Sequence, residues 1–181
     1  MAKKNMRIEK DSMGNVKVPS DAYYGAQTQR AIDNFKISNL QFSKSFIKSL
    51  TIIKRSAAIV NSKLEKLDSK YSKAIIKASD EVLNGKFDSQ FKVDIFQTGS
   101  GTSTNMNMNE VLSNRASEIL GGKLGSRDPI HPNDHINLGQ SSNDVIPSAI
   151  HMSVYLDVQN NLLPSLIKLE KSLQKKSKEF N

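Results

Sequence analysis

Apolar residues recur at spacings of three and four between residues 40 and 83, and this periodicity constrains the fold more than any other feature. Side chains spaced in this way share one face of an α-helix, and that face packs against neighbouring elements. The first run comprises Leu40, Phe46, Leu50, Ile53, Ala57, Val60, Leu64 and Leu67. The second run comprises Tyr71, Ile75, Ala78 and Val82, and Asn84-Gly85 after it is a helix stop. The spacing therefore predicts two amphipathic helices, separated near Asp68.

The rest of the chain adds further helical segments and irregular connections. A third helix is predicted from about Asn105 to Ile119, before the stop Gly121-Gly122. The segment 143–180 also has helical periodicity, and Pro164 is predicted to kink it midway. Residues 1–38 show no sustained period, so they are predicted to be extended or looped. Residues 121–140 are rich in Gly and Pro and are predicted to form a loop. No strand-like alternation is evident, so the predicted fold class is mainly α, with a looped N-terminal region and long amphipathic helices.

Length and composition exclude several classes of protein. A chain of 181 residues is long enough for one compact domain. It has no cysteine, which excludes disulfides, thiolate zinc sites and a cysteine nucleophile. No apolar run approaches the roughly 18 residues of a membrane-spanning helix. The N-terminus lacks the apolar core of a secretory signal. We therefore expect no membrane partner and a cytoplasmic location.

The net charge of +8 is a weak indication of a nucleic-acid partner. Residues 1–90 hold 17 basic and 9 acidic side chains, whereas residues 91–181 hold 9 of each. Much of the excess lies on the predicted solvent face of the first long helix, as Lys44, Lys48, Lys54, Lys63 and Lys66. Lysines on such a face solubilise it and cover apolar atoms with their stems. Aromatic residues are only 6% and form no stacking motif, so nucleic-acid binding is not expected.

The window FQTGSGTSTNMNMNE, residues 96–110, combines small polar side chains with glycines directly before a predicted helix. Gly99 and Gly101 allow close backbone approach, while Ser100, Thr102 and the first N–H groups of the helix are hydrogen-bond donors. Such a loop fits a carboxylate or a phosphate at the positive end of the helix dipole. An ordinary helix cap with a flexible entry loop fits equally well. The window lacks the lysine of a phosphate-binding P-loop.

A second polar window, HPNDHINLGQSSNDV at residues 131–145, also precedes a predicted helix and contains the doublet Ser141-Ser142. His131 and His135 have the spacing of a metal pair, but Pro132 disrupts the helical geometry that such a pair needs. Local hydrogen bonding is the favoured role for both histidines. Asp134 and Asp144 are candidates for acid–base catalysis or for helix capping, and capping is the favoured role. In the first window, Asn105, Asn107 and Asn109 are predicted to satisfy buried polar groups in preference to contacting a ligand.

The two windows resemble the first two conserved regions of class II fumarase, in the fumarase/aspartase superfamily. The similar segments are QTGSGTSTNMNMNEVLSNRASE, HPNDHINLGQSSNDVIPSAIH and the opening RIEKDSMGNVKVPSDAYYGAQTQRAIDNFKIS. Thr98, Ser100 and Ser142 resemble fumarase, because aspartase favours QGGAGT and STND at these places. Asn114-Arg115 points the same way.

The resemblance implies reversible hydration of fumarate to (S)-malate in the tricarboxylic acid cycle, without a metal or an organic cofactor. It also implies a homotetramer whose active sites combine residues of three subunits. The implied substrate-binding residues are Ser100, Gly101, Thr102, Ser141, Ser142 and Asn143. The implied second dicarboxylate site comprises His131, Pro132, Asn133 and Asp134. The family has an arginine three residues before this histidine, whereas this chain has Asp128 there, next to Arg127. Gly139 also departs from the family, which commonly has serine before QSSND.

The catalytic residues of the family do not occur in these 181 residues, and the resemblance implies that they lie beyond Asn181. The family's acid is a histidine in a later Thr-His window, and its base is a serine in a GSSxMPxKxNP loop. His151 is interpreted as a helix-packing residue. The expected organisation is an N-terminal lyase domain over residues 1–140 and the start of a truncated central helical bundle over residues 141–181. The chain alone is expected to be inactive. Aspartate ammonia-lyase, another superfamily lyase and a non-catalytic dicarboxylate-binding module are the alternatives.

Overall fold

A computed structural model of the chain describes residues 5–180. Two strands open the chain, and six α-helices follow them. The strands are β1 (Met6–Asp11) and β2 (Gly14–Pro19). The helices are α1 (Ala26–Asn34), α2 (Lys44–Lys63), α3 (Ser69–Leu83), α4 (Thr102–Ile119), α5 (Ser142–Asp157) and α6 (Leu163–Glu179). The predicted fold class, mainly α, is confirmed.

Two of the predicted boundaries fall on residues outside this range. The expected bundle segment 141–181 ends at Asn181, which lies outside the described residues, so the structure covers that segment up to Phe180. The prediction that the acid and the base lie beyond Asn181 is likewise outside the described range and stays a prediction. Residues 1–4, the start of the predicted looped region, also lie outside it.

Residues 1–38 were predicted to be extended or looped, without strands. This is wrong for the described part of that region, which contains both strands and helix α1. β1 and β2 form an antiparallel hairpin in which Met6 pairs with Pro19 and Asp11 pairs with Gly14. The buried position of β1 is Glu9, whose carboxylate accepts hydrogen bonds from Arg7 and from the N–H of Ala26. Because a paired carboxylate replaces the usual apolar residue, the strand lacks the alternation that would reveal it.

Helix α2 begins later and is buried on a wider face than the apolar run indicates. Its N-cap is Ser43, whose hydroxyl accepts a hydrogen bond from the N–H of Phe46, so Leu40 precedes the helix. Helices α3 and α5 both pack against it. Lys54 is fully buried, so its predicted place on the solvent face is wrong. Conversely, Val60 and Leu64 of the apolar run are exposed.

Helices α3 and α4 follow the predicted pattern closely. Helix α3 ends at the cap Asn84, followed by Gly85 with a positive φ of 82°. Helix α4 lies at the centre of the fold, with 13 of its 18 residues buried. The core around it is formed by Leu50, Ile75, Met108, Val111, Leu112, Ile130 and Ala149, all fully buried. This central position explains why α4 contains few exposed positions.

The carboxylate of Glu110 on α4 supports the N-terminus of α1. It accepts hydrogen bonds from the backbone N–H groups of Gly25, Gln27 and Thr28, and from the Thr28 hydroxyl, at 2.6–3.0 Å. Burial raises the pKa of this carboxyl. A helix N-terminus carries unpaired N–H donors and a positive dipole end, which a carboxylate satisfies.

Helices α5 and α6 are joined by a π-helical turn, Val158–Leu162, just before Pro164. The predicted interruption therefore falls where the sequence placed it. Every residue of α6 is exposed, including Leu166, Ile167 and Leu173. His151 on α5 is also exposed, so the prediction that it packs between helices is wrong within this chain. Among residues 5–180, no helix is both long and apolar enough to cross a membrane.

Candidate functional site

The fold brings the two polar windows together at the N-termini of α4 and α5. The Ser100 hydroxyl lies 2.8 Å from that of Thr102, and the Thr102 hydroxyl lies 3.0 Å from that of Ser142. The last two residues are 40 positions apart in the sequence. Three hydroxyl groups thus form one hydrogen-bonded chain, which we call the hydroxyl cluster. Its members are exposed or half-buried, so a small molecule can reach them.

Gly101 determines how closely helices α4 and α5 pack against each other. It is the N-cap of α4 and has a positive φ of 67°, which side chains larger than hydrogen disfavour. A Cβ atom at this position would lie 3.1 Å from two side-chain carbons of Ile146 on α5. Only glycine therefore allows the first turn of α4 to lie this close to α5. The hydroxyl cluster depends on that approach.

The backbone donors of α4 are less available than the sequence indicates. The N–H of Ser103 donates to the Thr98 hydroxyl at 3.2 Å, and the N–H of Thr104 donates to Gln97 Oε1 at 2.8 Å. Side chains of the same window thus already cap two of the first N–H groups. The prediction that these N–H groups are free for an anion is wrong for Ser103 and Thr104. The hydroxyl groups are the main donors that the site presents.

The second window enters α5 through Ser141. This residue is the N-cap, and its hydroxyl accepts a hydrogen bond from the N–H of Asn143 at 3.3 Å. Asp144 lies in the first turn of α5 and does not cap it, so its predicted capping role is wrong. Ser141 and Asn143 are exposed beside the half-buried Ser142. All six residues predicted to bind the substrate therefore lie at these two adjoining helix ends.

The second predicted site lies on a separate π-helical turn, Pro132–Ile136. His131 Nδ1 accepts from the N–H of Asp134 at 3.3 Å and lies 3.1 Å from its carboxylate. His135 Nδ1 accepts from the N–H of His131 at 2.8 Å, and burial lowers the pKa of His135. The prediction of local hydrogen bonding is confirmed for both histidines. The cap of this turn is His131, so the capping role predicted for Asp134 is wrong.

Pro132 is buried, whereas Asn133 and Asp134 are exposed. The half-buried His131 therefore has two polar neighbours open to solvent. Within the described part of the chain, no group of three or more acidic or histidine side chains has the geometry to hold a metal ion.

A polar cluster is made of the buried Lys54, Asn105 and Asn109 and the half-buried Asn137, and its Asn105 lies one helical turn after Thr102 of the hydroxyl cluster. Three side chains donate to the single oxygen Asn137 Oδ1: Lys54 Nζ at 2.8 Å, Asn105 Nδ2 at 3.2 Å and Asn109 Nδ2 at 3.3 Å. Asn107 donates instead to the carbonyl of Gln90 at 3.1 Å. The prediction that these asparagines of α4 satisfy buried groups is confirmed.

Lys54 and Asn137 are the residues of this cluster that sequence reasoning missed. Burial lowers the pKa of Lys54 to about 7. Lys54 follows Leu50 by four positions and Phe46 by eight, so helical spacing places it on the apolar face of α2. This spacing indicates that Lys54 is buried. The solvent face was predicted instead because lysine is normally a surface residue.

Comparison with known proteins assigns the chain to a family. A family profile described as lyase matches residues 14–181. The chain belongs to this lyase family. The match covers both helix N-termini that form the hydroxyl cluster, the π-helical turn with His131, and all six α-helices.

Curated relatives of this chain include class II fumarate hydratases. The chain is 51% identical over 175 residues to "Fumarate hydratase class II" of Halobacterium salinarum, and covers 37% of that protein's length. It is 53% identical over 183 residues to "Fumarate hydratase, mitochondrial" of Homo sapiens, and covers 36% of its length. These two alignments match 97% and 99% of this chain, respectively. The predicted resemblance to class II fumarase is confirmed, and the chain spans little more than a third of these relatives.

Solved structures show the same architecture. The class II fumarase of Schistosoma mansoni superposes with a TM-score of 0.93 at 47% identity, matching 97% of this chain and 37% of the solved chain. A fumarate lyase:delta crystallin from Brucella melitensis superposes with a TM-score of 0.93 at 42% identity, matching 97% of this chain and 41% of the solved chain. The fold of the described residues is therefore that of the corresponding part of these proteins.

Proposed function

We propose that this chain supplies the donor side of a fumarate hydratase active site, for the reversible hydration of fumarate to (S)-malate. The observation that carries the proposal is the hydroxyl cluster, in which Ser100, Thr102 and Ser142 converge from two helix N-termini. Gly101, Ser141 and Asn143 complete the proposed substrate-binding set. The similarity to class II fumarate hydratases supports this choice of substrate.

The chemistry of a dicarboxylate suits such a site. Fumarate and malate are dianions, and residues 91–166 hold 4 basic and 7 acidic side chains, so the net charge of this region does not attract them. Hydroxyl donors and the positive ends of two helix dipoles supply the attraction locally. Neutral donors have a further advantage, because they contact a carboxylate without the desolvation cost of a cation buried in direct contact with it.

The same donors stabilise charge as the reaction proceeds. In the direction from malate to fumarate, a base removes a proton from the carbon next to a carboxylate, and the negative charge spreads onto that carboxylate. Donors held rigidly towards this carboxylate stabilise the developing charge more than they stabilise the bound substrate. The hydroxide leaves with a proton from an acid, which balances the elimination of water. We propose that both the acid and the base come from outside these 181 residues, and that no cofactor is required.

Two further aspects of this proposal concern assembly. We propose residues 1–140 as the N-terminal lyase domain and residues 141–181 as the start of a central helical bundle. The fully exposed α6, with its apolar Leu166, Ile167 and Leu173, supports a packing role outside this chain. A homotetramer with shared active sites fits this arrangement, and we propose the cytoplasm as its location. His131, Pro132, Asn133 and Asp134 form the proposed second dicarboxylate site, with Asp128 in place of the family arginine.

An activity assay of the full-length gene product tests the proposal. The product should deplete fumarate, measured by its ultraviolet absorbance, and should not release ammonia from aspartate. Thr102→Ala and Ser142→Ala should each lower kcat/KM about 100-fold, since each removes a donor to developing charge. Ser56→Ala, at an exposed position of α2, is the matched control. Turnover of aspartate in place of malate would identify an ammonia-lyase instead.

Turnover and binding measurements on the 181-residue chain by itself distinguish catalysis from binding. We expect it to show no turnover of fumarate, because it lacks the proposed acid and base. Calorimetric titration with malate distinguishes the remaining alternative. Heat of binding with a 1:1 stoichiometry on the isolated chain would favour a free-standing dicarboxylate-binding module over a site shared between subunits.

A further inference from the structure

Lys54 is a fully buried cation without a carboxylate partner. Its ammonium donates to Asn137 Oδ1 at 2.8 Å, and no acidic side chain of residues 5–180 lies within salt-bridge distance of it. Removing an ammonium group from water costs free energy, which an ion pair would normally offset. Stability alone therefore does not explain a lysine at this position, where a methionine would fill similar space.

The hydrogen bonds around Lys54 all converge on one residue. Asn137 Oδ1 accepts from Lys54, Asn105 and Asn109, although an amide oxygen has only two lone pairs. Meanwhile, the buried oxygens Asn105 Oδ1 and Asn109 Oδ1 meet no donor among the described residues. The three donors together restrain the side chain of Asn137.

Asn137 begins the turn that leads into α5. Its Nδ2 donates to the carbonyl of Gln140 at 3.1 Å, and the N–H of Gln140 donates back to the carbonyl of Asn137 at 3.0 Å. Asn61 donates to the carbonyl of Leu138 at 3.0 Å. Lys54 and Asn61 lie seven positions apart, on one face of α2. Helix α2 therefore holds the turn 137–140 at two points, directly before Ser141.

The ammonium of Lys54 also lies close behind the hydroxyl cluster. Asn105 stands one helical turn after Thr102 on α4, and its amide donates to the same oxygen as Lys54. One turn and two hydrogen bonds place the charge on the order of 10 Å from the Thr102 hydroxyl. At that distance in a protein interior, a unit charge changes the binding of a dianion by about tenfold or more.

We infer that Lys54 is a positioning residue for the proposed dicarboxylate site. Through Asn137 it fixes the turn that carries Ser141 and Ser142, and in its protonated form it places one positive charge behind their hydroxyl groups. This inference rests on the proposed function, since it names a residue that sets substrate affinity at that same site. It assigns Lys54 no contact with the substrate.

The test uses the full-length gene product with Lys54→Met, which keeps the length of the side chain and removes its charge and donors. We expect KM for fumarate and for malate to rise about tenfold, with a smaller change in kcat. The midpoint of urea unfolding should stay the same or rise, because a buried charge is removed. A purely structural lysine would give the opposite result, with a lower midpoint and an unchanged KM.

Two further variants complete the experiment. Lys48→Met makes the same change at an exposed position of α2 and should leave KM unaltered. Lys54→Gln keeps a donor for Asn137 without the charge, so it should recover part of the affinity. If Lys54→Met does not fold, the KM of Lys54→Gln tests the inference instead. A wild-type KM in both Lys54 variants would overturn the inference while the proposed function stands. A wild-type product without turnover would overturn the proposed function and the inference together.

Discussion

Helices α4 and α6 have opposite relations between residue type and burial. Helix α4 buries polar side chains, among them Asn105, Asn107, Asn109 and Glu110. Helix α6 exposes apolar side chains, including Leu166 and Leu173. Neighbours explain the difference, because α1, α3 and α5 all pack against α4 and its buried polar groups find donors and acceptors there. Burial in this molecule therefore follows the position of an element in the fold as much as its composition.

The largest expected effect contrasts two leucines. Leu112 of α4 is fully buried, whereas Leu169 of α6 is 54% exposed. Leu112→Ala should lower the free energy of unfolding by about 2–5 kcal/mol, because it leaves a cavity in the core. Leu169→Ala should change it by less than about 0.5 kcal/mol. Urea unfolding of the chain and both variants measures these values. Equal losses in the free energy of unfolding would show that α6 is packed in solution, and would contradict the contrast between α4 and α6.

The next effect concerns buried and exposed carboxylates. Glu110→Ala removes the acceptor of four hydrogen bonds at the start of α1. We expect a loss of about 3 kcal/mol, since the buried N–H groups of Gly25 and Thr28 are left unpaired. Glu170→Ala, on the exposed α6, is the matched control and should be nearly neutral. A loss below about 1 kcal/mol for Glu110→Ala, in the same unfolding assay, would argue against this capping role.

A smaller effect is expected from the glycine at the start of α4. Gly101→Ala combines a strained positive φ with a contact of 3.1 Å to Ile146, and should cost about 2 kcal/mol. Gly121→Ala has the same kind of φ, 86°, but meets no atom within 4 Å, so about 1 kcal/mol is expected. Thermal unfolding separates the two costs. Equal shifts in Tm would mean that the contact between α4 and α5 does not depend on Gly101.

The smallest effect is a dependence on pH, which contrasts the buried Lys54 with the exposed Lys171 of α6. The pKa of Lys54 is about 7 in the folded chain and about 10.5 when unfolded. Between these values the unfolded state binds more protons, so the contribution of Lys54 to the free energy of unfolding rises with pH. Lys54→Met should therefore be about 1 kcal/mol more stable than the wild type at pH 7.

The stability advantage of Lys54→Met should shrink as the pH approaches 10, because losing the lysine proton on folding costs less as the pH nears the unfolded pKa of about 10.5. Lys171→Met should show no such trend. Chemical unfolding at several pH values between 7 and 10 measures both differences. A constant difference for Lys54→Met across this range would mean that Lys54 keeps an ordinary pKa.

Helical periodicity predicted the main elements correctly where one face of a helix is buried. Helices α2 and α3 follow such a stripe, and α4 ends at the predicted glycines. The hairpin was missed because Glu9 occupies the inward position of β1. Lys54 was misplaced because two neighbouring helices bury more of α2 than its apolar stripe indicates. The windows around Ser100 and Ser142 were recognisable, but their meeting depends on the packing of α4 against α5.

The sequence by itself determined the helices, the two polar windows and the family, because spacing and short motifs are local properties. Only the tertiary structure decided that Thr102 and Ser142 share one hydroxyl cluster, and that Lys54 lies buried beneath it. It also showed that the N–H groups of Ser103 and Thr104 are already capped. The physical reason is the same throughout: contacts between residues far apart in sequence depend on how helices pack, and no local pattern contains that information.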